Sequence, residues 1–189
     1  MQGFEFTELE MKGAYCIKPF RAQDERGEFI KDWSEEAFRA NGIEHTLKET
    51  FYTVSKRAVI RALHFQLERQ QPKLVRCIKG HVYDVIADLR PTSPTFKKWQ
   101  AFHLTGESAL ELLVPPFFGH GFLALEESIV SYKCAEGFYP AGDAGIMWDD
   151  PDLAIDWQLD QIGGKQNLII SERDKKQMSL VEYLERISN

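Results

Sequence analysis

The stretch Leu74-Val75-Arg76-Cys77-Ile78-Lys79-Gly80-His81-Val82-Tyr83-Asp84-Val85-Ile86-Ala87-Asp88-Leu89 decides how this chain is read. Two β-prone runs flank Lys79-Gly80-His81. A glycine between such runs supplies the backbone freedom of a tight turn, so the pattern predicts a β-hairpin. Downstream, residues 97–104, 110–114, 121–125 and 129–134 read as four more short strands. Pro91-Thr92-Ser93-Pro94, Thr105-Gly106-Glu107-Ser108 and Pro115-Pro116 punctuate them. Upstream, residues 4–11, 14–18 and 49–65 are also β-prone, with Phe4 and Phe6 on one face of the first. Many short strands with little helix predict a mainly β sandwich or barrel. Two short helices accompany them. One is capped by Ser34 and stopped by Gly42. The other opens on the capping box Ser179-Leu180-Val181-Glu182 and carries Leu180, Tyr183, Leu184 and Ile187 on one face. No repeat or linker interrupts the chain, so residues 1–189 read as a single domain.

Bulk properties exclude several classes. The net charge of −6 argues against a dedicated nucleic-acid binder, which would be basic, although a local basic pocket for a small anion is compatible with it. No apolar run approaches the roughly 20 residues that span a bilayer, and Met1-Gln2-Gly3-Phe4-Glu5 lacks a signal peptide's charged and apolar regions, so no membrane partner is expected. Cys16, Cys77 and Cys134 form no CxxC pair and read as reduced residues of a cytoplasmic protein. The 13 phenylalanines suggest an aromatic interior or ligand cavity.

The chemistry centres on Arg61-Ala62-Leu63-His64-Phe65-Gln66 and on Lys73. In an extended strand, Arg61 and His64 fall on opposite faces unless a bulge re-aims one of them. A zinc or iron site generally takes three protein ligands, but Gln66 follows where a second histidine would pair with His64, and the other histidines are scattered. A Gly-x-Ser-x-Gly elbow, a phosphate loop and a dinucleotide fingerprint are all absent. Metal-free acid–base chemistry remains. Its ingredients are His64 as base, Lys73 beside a developing oxyanion, His120 as a second histidine, the phenols of Tyr132 and Tyr139, and Asp174 to hold an imidazole tautomer. Each has a plainer reading. Tyr132 suits a core strand, and Asp174 lies in the charged run Ser171-Glu172-Arg173-Asp174-Lys175-Lys176, which suits solvent.

Taken together, these segments resemble the dTDP-4-dehydrorhamnose 3,5-epimerase family and its nucleotide-sugar epimerase relatives. The resemblance runs from about Phe4 to Asp174. Besides the segments above, Asp24-Glu25-Arg26-Gly27-Glu28-Phe29, Asp88-Leu89-Arg90-Pro91-Thr92-Ser93-Pro94-Thr95, Val114-Pro115-Pro116-Phe117-Phe118-Gly119-His120-Gly121-Phe122 and Gly145-Ile146-Met147-Trp148-Asp149-Asp150-Pro151 carry it. Their order and spacing are specific together. The resemblance implies a cupin-type jelly-roll, a homodimer, no cofactor and a nucleotide-diphospho-sugar substrate. By position, His64 resembles the family's base, Asp174 its orienting carboxylate, Tyr132 its acid and Lys73 the lysine at the sugar's C4 oxygen. His120 resembles a pocket residue, Arg26 and Arg61 nucleotide and diphosphate contacts, and Phe29 and Tyr139 base-packing aromatics.

The chain also departs from the family pattern. Ala62 replaces a common Gly, Glu49-Thr50-Phe51 stands where a Gln-x-Asn pair is usual, Lys31 replaces a Glu, and Asp143 stands where a Glu is common. Lys31, Glu49, Phe51, Asp143 and Arg173 are therefore further substrate-binding candidates. An ammonium in place of a carboxylate exchanges acceptor for donor, so the nucleotide or its binding mode is expected to differ from the usual dTDP. The same residues also suit a sugar-nucleotide 3,4-ketoisomerase or a non-catalytic cupin that binds a nucleotide sugar.

Overall fold

The computed structural model describes residues 3–188. Two antiparallel sheets pack face to face. The first runs β1 (Glu5–Glu8), β2 (Tyr15–Lys18), β10 (Glu111–Val114), β7 (Lys73–Lys79), β12 (Ser128–Cys134), β5 (Glu49–Ser55). The second runs β13 (Asp143–Gly145), β6 (Ile60–Gln66), β11 (Phe118–Ala124), β8 (His81–Asp88), β9 (Trp99–Thr105). The non-sequential strand order is that of a jelly-roll. A separate hairpin pairs β3 (Phe20–Asp24) with β4 (Gly27–Lys31).

Alternation along the strands builds the layers. Val75, Cys77, Leu112 and Val130 of the first sheet meet Val82, Ile86, Phe118 and Phe122 of the second in the interior. The outer face of the second sheet is covered by the C-terminal segment, where Trp148, Trp157, Leu180 and Tyr183 pack on Leu63, Phe65, Val85 and Leu123. Helix α1 (Glu35–Ala40) lays Phe38 on Ile17, Leu74 and Leu113 of the first sheet. Both helices are capped as their sequences predict: Ser34 Oγ accepts from the Ala37 N–H at 3.5 Å, and at the start of α2 (Leu180–Ser188) Ser179 and Glu182 bond reciprocally.

The expected hairpin at Gly80 is not formed. Strand β7 lies between β10 and β12 in one sheet, while β8 lies between β11 and β9 in the other. Lys79-Gly80-His81 is therefore a corner where the chain changes sheets. Gly80 has φ +81°, and a Cβ there would sit 2.2 Å from the Glu127 carbonyl oxygen. The local chemistry of a hairpin turn and of this corner is the same, a glycine with positive φ, so short-range pattern cannot separate them. The first strand is also shorter than expected, ending at Glu8 rather than near Met11.

On the first sheet, Arg76 and Glu111 are buried in a charged group with the partly exposed Asp32 and Lys133. Asp32 accepts from Arg76 Nη1 at 3.1 Å and Lys133 Nζ at 2.7 Å. Glu111 beside them has no solvent exposure and, among the described residues, no hydrogen-bond partner for either carboxylate oxygen, with Lys133 Nζ at 4.0 Å. Burial pushes the Glu111 carboxyl well above the usual carboxylate range; Lys133 and Arg76 lower it and Asp32 raises it. The folded state therefore holds this proton at pH values where the unfolded chain, with a carboxyl near 4.3, has lost it. Folding stability carried by this group is undiminished at low pH and declines as pH rises towards the folded-state value. Glu111→Gln, of the same shape and without the charge, is expected to be more stable than wild type at pH 8 by about 1 kcal/mol and equal to it near pH 4. Urea unfolding at the two pH values checks this.

Candidate active site

At one end of the sandwich the two sheets part around a cleft of about 240 Å³. This is smaller than the roughly 300–1,000 Å³ that encloses a drug-sized ligand, so it suits a sugar-sized group with the rest of a larger molecule lying outside. The wall from the second sheet carries Arg61, His64 and His120. The opposite wall carries Phe51, Thr53, Lys73 and Tyr132. Asp143, Phe138 and Arg173 close the rim.

A bulge places the second-sheet wall. His120 pairs with His64 but Phe122 pairs with Arg61, so β6 spends three residues where β11 spends two. Both Arg61 and His64 thereby face the cleft, while Ala62 and Leu63 are buried behind it. The bulge packs so tightly that a Cβ on Gly121 would lie 2.5 Å from that of Ala62. Arg61 Nε donates to Ser55 Oγ at 3.1 Å, which ties this wall to the end of β5.

Two histidine–carboxylate pairs stand side by side on this wall. His64 Nε2 lies 3.3 Å from Asp174 Oδ2. Asp174 is buried although its neighbours Glu172, Arg173 and Lys175 are exposed, because a short 3-10 turn at residues 174–176 points its carboxylate inward. Burial raises this carboxyl, but hydrogen bonds from His64, Ser171 and the Ala62 backbone outweigh burial and hold it below its ordinary value. An ionised Asp174 fixes the imidazole proton on Nε2 and leaves Nδ1 as the basic nitrogen. The second pair is His120 Nε2 at 3.0 Å from both oxygens of Asp84. Asp84 is fully buried; burial raises its carboxyl and His120 lowers it.

The opposite wall supplies a cation and a phenol. Lys73 is buried at the start of β7, with no carboxylate within ion-pair distance among the described residues. Burial lowers its ammonium from the ordinary value, and Cys134 and Asp143 pull it up. Tyr132 lies under Phe51 and beside His120. Burial and the Asp84 charge hold the phenol far above its usual range, with Thr53 and Arg61 offsetting only part, so the hydroxyl stays protonated. A base on one sheet thus faces a protonated acid on the other, with an ammonium beside the acid.

The remaining sequence candidates divide. Asp143 and Arg173 form an ion pair at the rim. Glu49 accepts from the Phe138 N–H at 2.6 Å and from Gln71 Nε2 at 3.2 Å, which ties two rim residues together. Tyr139 lies just outside the cleft lining, its ring under the Arg69 guanidinium at 5.1 Å. Arg26, Phe29 and Lys31 stand on the separate β3–β4 hairpin and do not reach this chain's own cleft: Arg26 pairs with Asp24, Lys31 lies over Phe20, and Phe29 is 58% exposed. Sequence reasoning gave no role to Asp84, Thr53, Gln66, Gln71 or Phe138. Only Asp84 carried a signal, as a lone charge within the apolar run Val82-Tyr83-Asp84-Val85-Ile86.

Known proteins share this fold. The family model for dTDP-4-dehydrorhamnose 3,5-epimerase matches residues 8–182. The dTDP-4-dehydrorhamnose 3,5-epimerase of Methanothermobacter thermautotrophicus is 44% identical over 183 residues, covering 96% of this chain and 97% of its own. Among solved structures, the Mycobacterium tuberculosis epimerase superposes with a TM-score of 0.90 at 34% identity, covering 96% of this chain and 91% of its own. The Legionella pneumophila 3,5-epimerase, solved in complex with dTDP-4-keto-L-rhamnose, gives 0.88 at 30% identity, covering 95% and 94%. With its jelly-roll and its cleft between the sheets, this chain belongs to the dTDP-4-dehydrorhamnose 3,5-epimerase family.

Proposed function

We propose that the protein epimerises a nucleotide-diphospho-4-keto-6-deoxysugar, the dTDP form first among them, at C3 and C5, in deoxysugar biosynthesis. The observation that carries this reading is the placement of His64 and Tyr132 on opposite walls of one cleft, with Lys73 beside them. A carbon next to a ketone loses a proton readily only if the enolate oxygen is stabilised, and the buried ammonium of Lys73 suits that oxygen. His64 takes the proton, and Asp174 stabilises the imidazolium that results. Tyr132 returns a proton from the other face, which inverts the carbon. The chemistry as proposed uses side chains alone. Incubation of the protein with dTDP-4-keto-6-deoxyglucose in D2O tests it. Label at C3 and C5 with an L-configured product supports the reading, and an unlabelled, unchanged sugar overturns it.

The working form proposed is a homodimer in which the β3–β4 hairpin of one copy reaches the cleft of the other. The hairpin's exposure supports this, since Phe29 is 58% exposed and Arg26, Phe29 and Lys31 stand outside the lining of their own cleft. A cytoplasmic setting is proposed as well. Cys77 and Cys134 are free and buried, with burial pushing both thiols up to about 11, and among the described residues no helix is long and apolar enough to cross a membrane. The nucleotide is the least constrained part, because Lys31 and Glu49 alter the charges expected around it. Titration with dTDP, UDP, CDP and GDP is expected to favour a pyrimidine. A preference for dTDP of about tenfold or more would assign the two substitutions no part in base choice.

A further inference from the structure

The wall that carries Tyr132 has a second ring on it. Phe51 stands directly opposite Tyr132 in the antiparallel register of β5 and β12. The two rings stack with centroids 4.7 Å apart and planes 15° apart. His120 meets Tyr132 edge-on at 5.9 Å and 78°, and Asp84 pins His120 in turn. The phenol is therefore confined by two rings. Tyr132 is 6% exposed and Phe51 is 41% exposed, so Phe51 is the solvent-facing member of the stack.

We propose that Phe51 is a positioning residue for Tyr132, a role that rests on the epimerase reading above. Its ring fixes the phenol's orientation and keeps solvent from the face of the sugar that Tyr132 protonates. His64 removes the proton from the carbon next to the ketone; the C–H pair becomes the carbon–carbon double bond of the enolate, and the carbonyl π pair moves onto oxygen. When the pair returns to carbon, the new C–H bond takes its proton from the Tyr132 hydroxyl, and the phenolate regains one from solvent. Inversion follows only if this second proton comes from the Tyr132 side. If the phenol swings away, the enolate is reprotonated from the His64 side, which exchanges the proton without inverting the carbon. Phe51 thus controls the ratio of exchange to inversion and not the first proton abstraction.

The experiment compares wild type, Phe51→Ala, Phe51→Leu and Phe51→Tyr with dTDP-4-keto-6-deoxyglucose in D2O. It measures label in recovered starting sugar against label in inverted product. The ratio is expected to rise about tenfold in Phe51→Ala, because small misplacements of a catalytic group carry large rate effects. Phe51→Leu, which keeps apolar bulk without a ring and stands in if Phe51→Ala does not fold, is expected to fall between. Phe51→Tyr keeps the stack and is expected to rescue the wild-type ratio. A loss of exchange and inversion in parallel, or an unchanged ratio in Phe51→Ala and Phe51→Leu, overturns the assignment while leaving the function standing. Wild-type protein that exchanges no substrate proton overturns the function, and the assignment with it.

Discussion

His64→Ala is expected to bind the nucleotide sugar and to exchange none of its protons with solvent, a loss of about 10²–10⁴-fold or more in rate. The size follows from the geometry. Within the cleft, His64 is paired to a carboxylate that accepts from its Nε2, so Nδ1 is left to accept a proton. His120 is not placed to replace it, because its side chain is 4% exposed against 26% for His64 and its ring meets Tyr132 edge-on. Asp174→Asn keeps the shape but removes the charge that stabilises the imidazolium and fixes the tautomer, so its activity is expected between those of wild type and His64→Ala. The readout is deuterium incorporation per turnover-equivalent, measured beside nucleotide affinity. Exchange at the wild-type rate in His64→Ala would refute the assignment of the base. His64 is itself 26% exposed at the side chain, so its removal should leave the fold intact.

Lys73→Met is expected to lose about 10²–10³-fold in kcat with little change in KM, the range found when a donor to a developing oxyanion is removed. Methionine matches the length of the lysine stem and carries no charge. Burial already disfavours the Lys73 ammonium, so the substitution is expected to leave stability unchanged or raised. That combination, lower activity with equal or higher stability, is the mark of a group kept for function. Lys73→Arg is not expected to rescue, because a planar fork does not fit where a compact ammonium is enclosed by Cys134 on the adjacent strand. A fall in stability with activity preserved would assign Lys73 to structure alone.

Much of the site was legible in the chain itself, and the reasons for the exceptions are physical. Strand content followed from β-branched and aromatic runs, because such runs have few other ways to be buried. Pairing did not follow. The residues around Gly80 carry the signals of a hairpin, yet β7 and β8 belong to different sheets, since partner choice in a jelly-roll is set by contacts far apart in sequence. The bulge in β6 was open on pattern alone, and only the pairing with β11 shows that Arg61 and His64 share a face. Asp174 sits in a charged run whose other members are solvated, and a single 3-10 turn separates it from them. Asp84 went without a role because its partner His120 lies on a neighbouring strand, 36 residues away. Arg26, Phe29 and Lys31 form a group by themselves: the hairpin that carries them does not line the candidate active-site cleft of its own chain.

The central claim is that base and acid act from opposite walls, and Tyr132→Phe in D2O tests it most directly. Phenylalanine keeps the stack on Phe51 and the edge contact with His120 while deleting the proton that Tyr132 would deliver. The account predicts continued label at C3 and C5 in recovered substrate, because His64 still abstracts, with formation of the inverted product reduced at least about tenfold. Inversion at the wild-type rate, or loss of exchange together with inversion, would contradict it.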